Sequence, residues 1–93
     1  MRRIVRVLPQ RGYVLQVWFA GGESGLFDAS RFLKGPIYGP LKDPDYFRTV
    51  EIDEVAGTIC WPNGADFCPN AVYEQVFRVS PRAPAVGIEG LAT

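Results

Sequence analysis

Cys60 and Cys68 are the two thiols of the chain, and no histidine accompanies them. A catalytic thiol needs a base or a cationic field to raise its thiolate population. Without histidine, the commonest general base and the commonest metal ligand are both missing. The two cysteines stand eight positions apart, which matches neither a zinc pair nor a redox Cys-x-x-Cys. Small, buried or half-buried side chains are therefore the expected role of both. Carboxylate pairs fare no better. Glu51 and Asp53 share one face of an expected strand and should be exposed, so neither gains the raised pKa of a general acid. Asp43 and Asp45 flank a proline and read as caps. An enzyme would have to be built from Asp66, Cys68 or Tyr73, converging in a real pocket. No metal or cofactor is expected, and the reading carried forward is non-enzymatic.

Binding chemistry has more to work with. Trp61, Asn63, Asp66 and Tyr73 lie within thirteen positions and form the candidate binding set. Trp61 reads as a partner's anchor or as core between a strand and the last helix, and a thin core favours the second. Asn63-Gly64 and Asp66 offer backbone amides and one carboxylate to a small polar ligand. Turn chemistry is the favoured reading, with Asn63 and Gly64 accepting left-handed angles and Asp66 capping nearby amides. Arg2, Arg3, Arg6 and Arg11 are the one basic cluster. With Trp18 they form the alternative, nucleic-acid candidate. The competing role is a charged edge strand that resists edge-to-edge aggregation.

The elements that must position these groups follow from period and punctuation. Ile4 to Leu8 is a β-branched run closed by Pro9. From Tyr13 to Phe19, Tyr13, Leu15, Val17 and Phe19 alternate with Val14, Gln16 and Trp18, and bulk on both faces predicts a central strand. Gly21-Gly22 turns the chain into a short strand at Ser24–Phe27. Asp28 to Lys34 should form a helix of two turns at most, capped by Asp28 and ended by Gly35, with Phe32 and Leu33 facing the core. Pro36 to Pro44 is expected to be an irregular loop. Asp43 to Phe47 reads as a capped turn that drops Phe47 into the core. Arg48–Asp53 and Thr58–Trp61 should pair as a hairpin, with Val50 and Ile52 inward. Pro62-Asn63-Gly64 stops the second strand. A helix follows from Pro69, with Val72/Val76 and Tyr73/Phe77 making an apolar stripe that must lie on the sheet. Both hairpins are expected in one sheet of about five strands, an α+β domain over residues 1–79. Residues 80–93, rich in Pro, Ala and Gly, read as a tail.

Ninety-three residues bound this to one small domain with a thin core. Ten basic and ten acidic residues cancel, which argues against affinity resting on phosphate neutralisation over the whole surface. Neither a signal-peptide pattern after Arg2-Arg3 nor a membrane-length apolar run is present. A reduced, cytoplasmic protein with free thiols is expected.

The run Trp61-Pro62-Asn63-Gly64-Ala65-Asp66, followed by Pro69 and Tyr73, resembles the DUF2442 family of small bacterial domains of unknown function. The likeness extends to the Tyr13–Phe19 strand with Gly21-Gly22, to the Phe27-Asp28 step and to Phe47, and so covers about Val5 to Phe77. It implies an antiparallel sheet with helices packed on it and attaches no activity. Some members carry an added helix-turn-helix domain, for which these residues leave no room, so DNA binding by that route is not carried over. Members beside other small proteins, in toxin–antitoxin-like pairs, imply a protein partner.

Three functions rank in order. The first is a non-enzymatic module that binds another protein or its own copy. The second is a nucleic-acid-associated regulator or antitoxin-like partner of a small toxin. The third is a small enzyme using Asp66, Cys68 or Tyr73.

Overall fold

The computed structural model describes residues 2–77. Five strands and three short α-helices follow one another: β1 (Ile4–Pro9), β2 (Val14–Phe19), β3 (Ser24–Asp28), α1 (Gly35–Tyr38), α2 (Pro44–Phe47), β4 (Glu51–Asp53), β5 (Thr58–Cys60) and α3 (Pro69–Phe77). The α+β class is as expected, and the tail at 80–93 lies outside the described residues.

The alternation along β2 sets the core. Leu15, Val17 and Phe19 are buried on one face, and β2 is the central strand of an antiparallel β1-β2-β3 sheet. Ile4 from β1 and Phe27 from β3 join them. Helix α3 lies against β3, with Val72 fully buried and Tyr73 and Phe77 set against Phe19 at ring separations of 5.1 and 6.1 Å.

The five strands form two sheets, not one. β4 and β5 form a two-stranded sheet of their own, to which Asp66 adds one isolated bridge at Cys60. The second hairpin meets the first sheet at a single backbone bond, Ile4 N–H to the Gly57 carbonyl at 2.8 Å. The register of β1 then slips between Ile4 and Arg6, leaving Val5 as an extra residue. Such a bulge twists its strand, and no ladder to the second hairpin follows the single bond.

The connection from β3 to β4 also differs from expectation. Ser30–Phe32 forms one 3-10 turn in place of a two-turn helix, and Asp28 accepts the Ser30 N–H through its side chain at 2.9 Å. Leu33 is buried as expected, but Phe32 is exposed. Gly35 does not end that turn. It opens α1 in a left-handed conformation, φ +79°. The segment from Pro36 to Pro44 is not irregular: α1, a 3-10 turn at Gly39–Lys42 and α2 follow in series. Each begins with a proline in its first turn, where a missing N–H breaks no helical bond. Asp43 caps α2 by accepting the Asp45 N–H, and Phe47 is fully buried, both as expected. β4 starts at Glu51, three residues later than the alternation predicts.

Candidate functional site

The junction from Trp61 to Asp66 is a closed turn. Gly64 N–H donates to the Trp61 carbonyl at 3.0 Å, and Trp61 N–H donates to the Ala65 carbonyl at 2.9 Å. Gly64 has φ +92°, and Asp66 pairs back onto Cys60. Pro62 thus enters the turn and Gly64 supplies its left-handed exit, the pattern of a three-residue hairpin loop.

The Trp61 and Asn63 side chains are spent on the fold. Trp61 is 2 % exposed, so it is a core residue and not a surface anchor. Its indole N–H donates to the Phe47 carbonyl at 2.9 Å, and its ring meets Phe47 and Phe67. Asn63 accepts the Ala65 N–H at 3.1 Å and donates to the Ile37 carbonyl at 2.9 Å. Asp66 keeps an exposed side chain, and its carbonyl accepts the Tyr38 hydroxyl at 2.7 Å. Tyr73 belongs to a different neighbourhood. Its ring touches Phe19 and Phe77 and is covered by the Arg2 guanidinium at 3.7 Å, all of them outside the turn. An open depression there is lined by Arg2, Asn70, Tyr73 and Glu74.

The cysteines are free. Burial pushes the Cys60 thiol up, and the carboxylates of Asp53, Glu51 and Asp66 add to the shift. That is the opposite of the field a nucleophilic thiol needs. Cys68 is exposed. Among the described residues, no three Cys, Asp or Glu side chains group closely enough to hold a metal ion, and no helix is long and apolar enough to cross a membrane.

The arginines do not form one patch. Arg2 stacks on Tyr73, Arg3 donates to the Glu54 carbonyl, Arg6 lies over Trp18 at 4.5 Å, and Arg11 sits in the β1–β2 turn. Arg2 precedes β1 and Arg11 follows it in the turn, so the two stand at opposite ends of the strand.

The outer face of the β1-β2-β3 sheet holds Arg6 and Trp18 of the alternative candidate set and none of Trp61, Asn63, Asp66 and Tyr73. Arg6, Trp18 and Ser24 form one row across it, and Leu8, Gln16 and Leu26 the next; Val14 and Asp28 end it. Leu8 is 46 % exposed and Leu26 58 %. The side chains of α3 that the sheet buries lie on the opposite face, with Phe19. The sequence held a signal for this surface: Leu8 and Leu26 are apolar at positions out of phase with the buried set. Phe67 was missed as well, although its ring meets Phe27, Phe32, Tyr38 and Trp61.

The family model described as "Protein of unknown function (DUF2442)" matches residues 4–78. Among solved structures, the chain is similar to the crystal structure of a "putative DNA binding protein" from Nitrosomonas europaea, at 27 % identity and a TM-score of 0.72. That match covers 82 % of this chain and 49 % of the other, so the chain spans about half the length of that relative. A search of curated proteins found no match.

Proposed function

The chain belongs to the DUF2442 family, and from that premise we propose a non-enzymatic interaction domain that docks a protein partner on the outer face of β1-β2-β3. The observation that carries this reading is the pair Leu8 and Leu26, exposed on either side of Gln16 on a face that no described residue covers. Exposed apolar side chains on a face that also carries the partly buried Val14 and Trp18 give a partner apolar surface to cover. The Cys60 environment supports a role without nucleophilic chemistry. Free thiols suit a reducing compartment, so a cytoplasmic location is part of the proposal.

The test is capture of the native partner by tagged wild-type protein and by Leu26→Glu. Wild type should retain the partner, and the variant should lose it while keeping its circular dichroism and melting temperature. Equal capture by a folded variant would remove the face from the proposal.

A second reading follows from the Nitrosomonas europaea relative, whose description concerns DNA. Under it, Arg6 over Trp18 is the natural contact, a cation beside a stacking ring. Titration of duplex and single-stranded DNA at low and moderate salt tests it, since phosphate contacts weaken steeply with salt. Absence of binding at low salt would end this reading.

A further inference from the structure

The outer sheet face has a symmetry in its chemistry. Cross-strand pairs fix its layout: Arg6 beside Trp18 beside Ser24, Leu8 beside Gln16 beside Leu26, Val14 beside Asp28. Neighbouring strands lie about 4.8 Å apart, and alternate residues about 6.8 Å along a strand. Gln16 is therefore the centre. Leu8 and Leu26 flank it at equal distances, and Arg6 and Asp28 occupy opposite corners. A cation and an anion thus stand at equal distances from the centre of a face whose named residues are half apolar, Leu8, Val14, Trp18 and Leu26. Arg31 also lies near Asp28, and the Asp28 side chain already accepts the Ser30 N–H.

We propose that the occupant of this face is a second copy of the chain, packed sheet to sheet about a two-fold axis that passes over Gln16. This rests on the reading of the face as a protein-docking surface and names its partner. A two-fold interface brings the same patch together with itself, so it must be self-complementary. An axis lying between the sheets, perpendicular to the Arg6–Asp28 diagonal, meets that requirement. It sets each Arg6 opposite Asp28 of the second copy. The same operation carries Leu8 over Val14 and Leu26 over Trp18 of the second copy. The strands of the two sheets then cross steeply, near the orthogonal class of sheet packing. Arg6 is already held over the Trp18 ring at 4.5 Å, on the outer face where the pair must form.

Sedimentation equilibrium of the full chain reads the outcome. Wild type should run at twice its 10.3 kDa mass. Leu26→Glu should raise the dimer dissociation constant at least tenfold. Arg6→Asp sets carboxylates against each other across the axis, and Asp28→Arg sets guanidinium groups against each other, so each alone should be mainly monomeric. An equimolar mixture of the two should dimerise again, because every corner then meets its opposite charge. Circular dichroism confirms that each variant is folded. If Asp28→Arg unfolds, Arg6→Asp and Leu26→Glu still decide the matter. A wild-type monomer throughout would overturn the inference, whether residues 78–93 or a foreign protein covers the face. Such a monomer leaves the wider docking proposal to the capture experiment. A dimer indifferent to Leu26→Glu and Arg6→Asp would also overturn it.

Discussion

Gly64 and Gly25 constrain the fold for opposite reasons. A Cβ built on Gly64 meets nothing within 4 Å, yet its φ of +92° is one that L side chains rarely adopt. The penalty for a side chain there lies in the backbone alone. Gly64→Val should lower stability by about 1–3 kcal/mol, read as a fall in the urea midpoint at constant slope. A Cβ on Gly25 would lie 2.3 Å from Cγ1 of Val76 and 3.8 Å from its Cβ. Gly25→Ala should therefore destabilise by pushing α3 off the sheet, and Val76→Ala should recover part of the loss in the double variant. Recovery would distinguish a steric contact from a backbone effect. The cysteines separate by exposure and charge. At pH 8, iodoacetamide should alkylate exposed Cys68 well before Cys60, whose thiol burial and nearby carboxylates keep protonated. The sign for stability follows. The raised Cys60 pKa contributes stability below its unfolded value and loses it as pH rises through the folded value. Asp28 acts in the other direction. Its carboxyl is held below the usual range by the Ser30 N–H and hydroxyl and by Arg31, so its contribution is lost as acid titrates it.

Helix α3 does more than cover a core face. Gln75 accepts the Asp28 N–H at 3.1 Å through Oε1 and donates to the Asp28 carbonyl at 3.0 Å through Nε2. Its amide takes the bonds that a further strand would make to Asp28 at the end of β3. Gln75→Ala should cost about 1–2 kcal/mol for the two lost bonds, and should raise thioflavin-positive aggregation by uncovering a strand edge. The apolar stripe of this helix was legible, because Val72, Val76, Tyr73 and Phe77 repeat at helical spacing. The role of Gln75 was not, because its partner lies 47 positions away. The turns from Gly35 to Phe47 are only partly legible in the sequence. Pro36, Pro40 and Pro44 stand four apart, and that spacing marks helical starts as well as it marks loops.

At the scale of the molecule, the core crosses from one sheet to the other. Trp61 and Ile59 from the second hairpin pack in one cluster with Leu15, Val17 and Phe27 from the first. Unfolding should therefore be a single transition, with near-ultraviolet and far-ultraviolet dichroism coinciding. Alternation and turn residues disclosed all five strands, since both are local. The split into two sheets is not local, and neither is the slip at Val5, which appears only once β1 meets β2. The candidate site was legible in its positions and not in its use. Trp61-Pro62-Asn63-Gly64 was distinctive because a turn, a buried indole and a backbone carbonyl 14 residues away had to fit together. The Gln75 amide has one more consequence. Both backbone groups of Asp28 are taken by this side chain, so a strand docking beside β3 must forgo that rung and has a shorter ladder to bond.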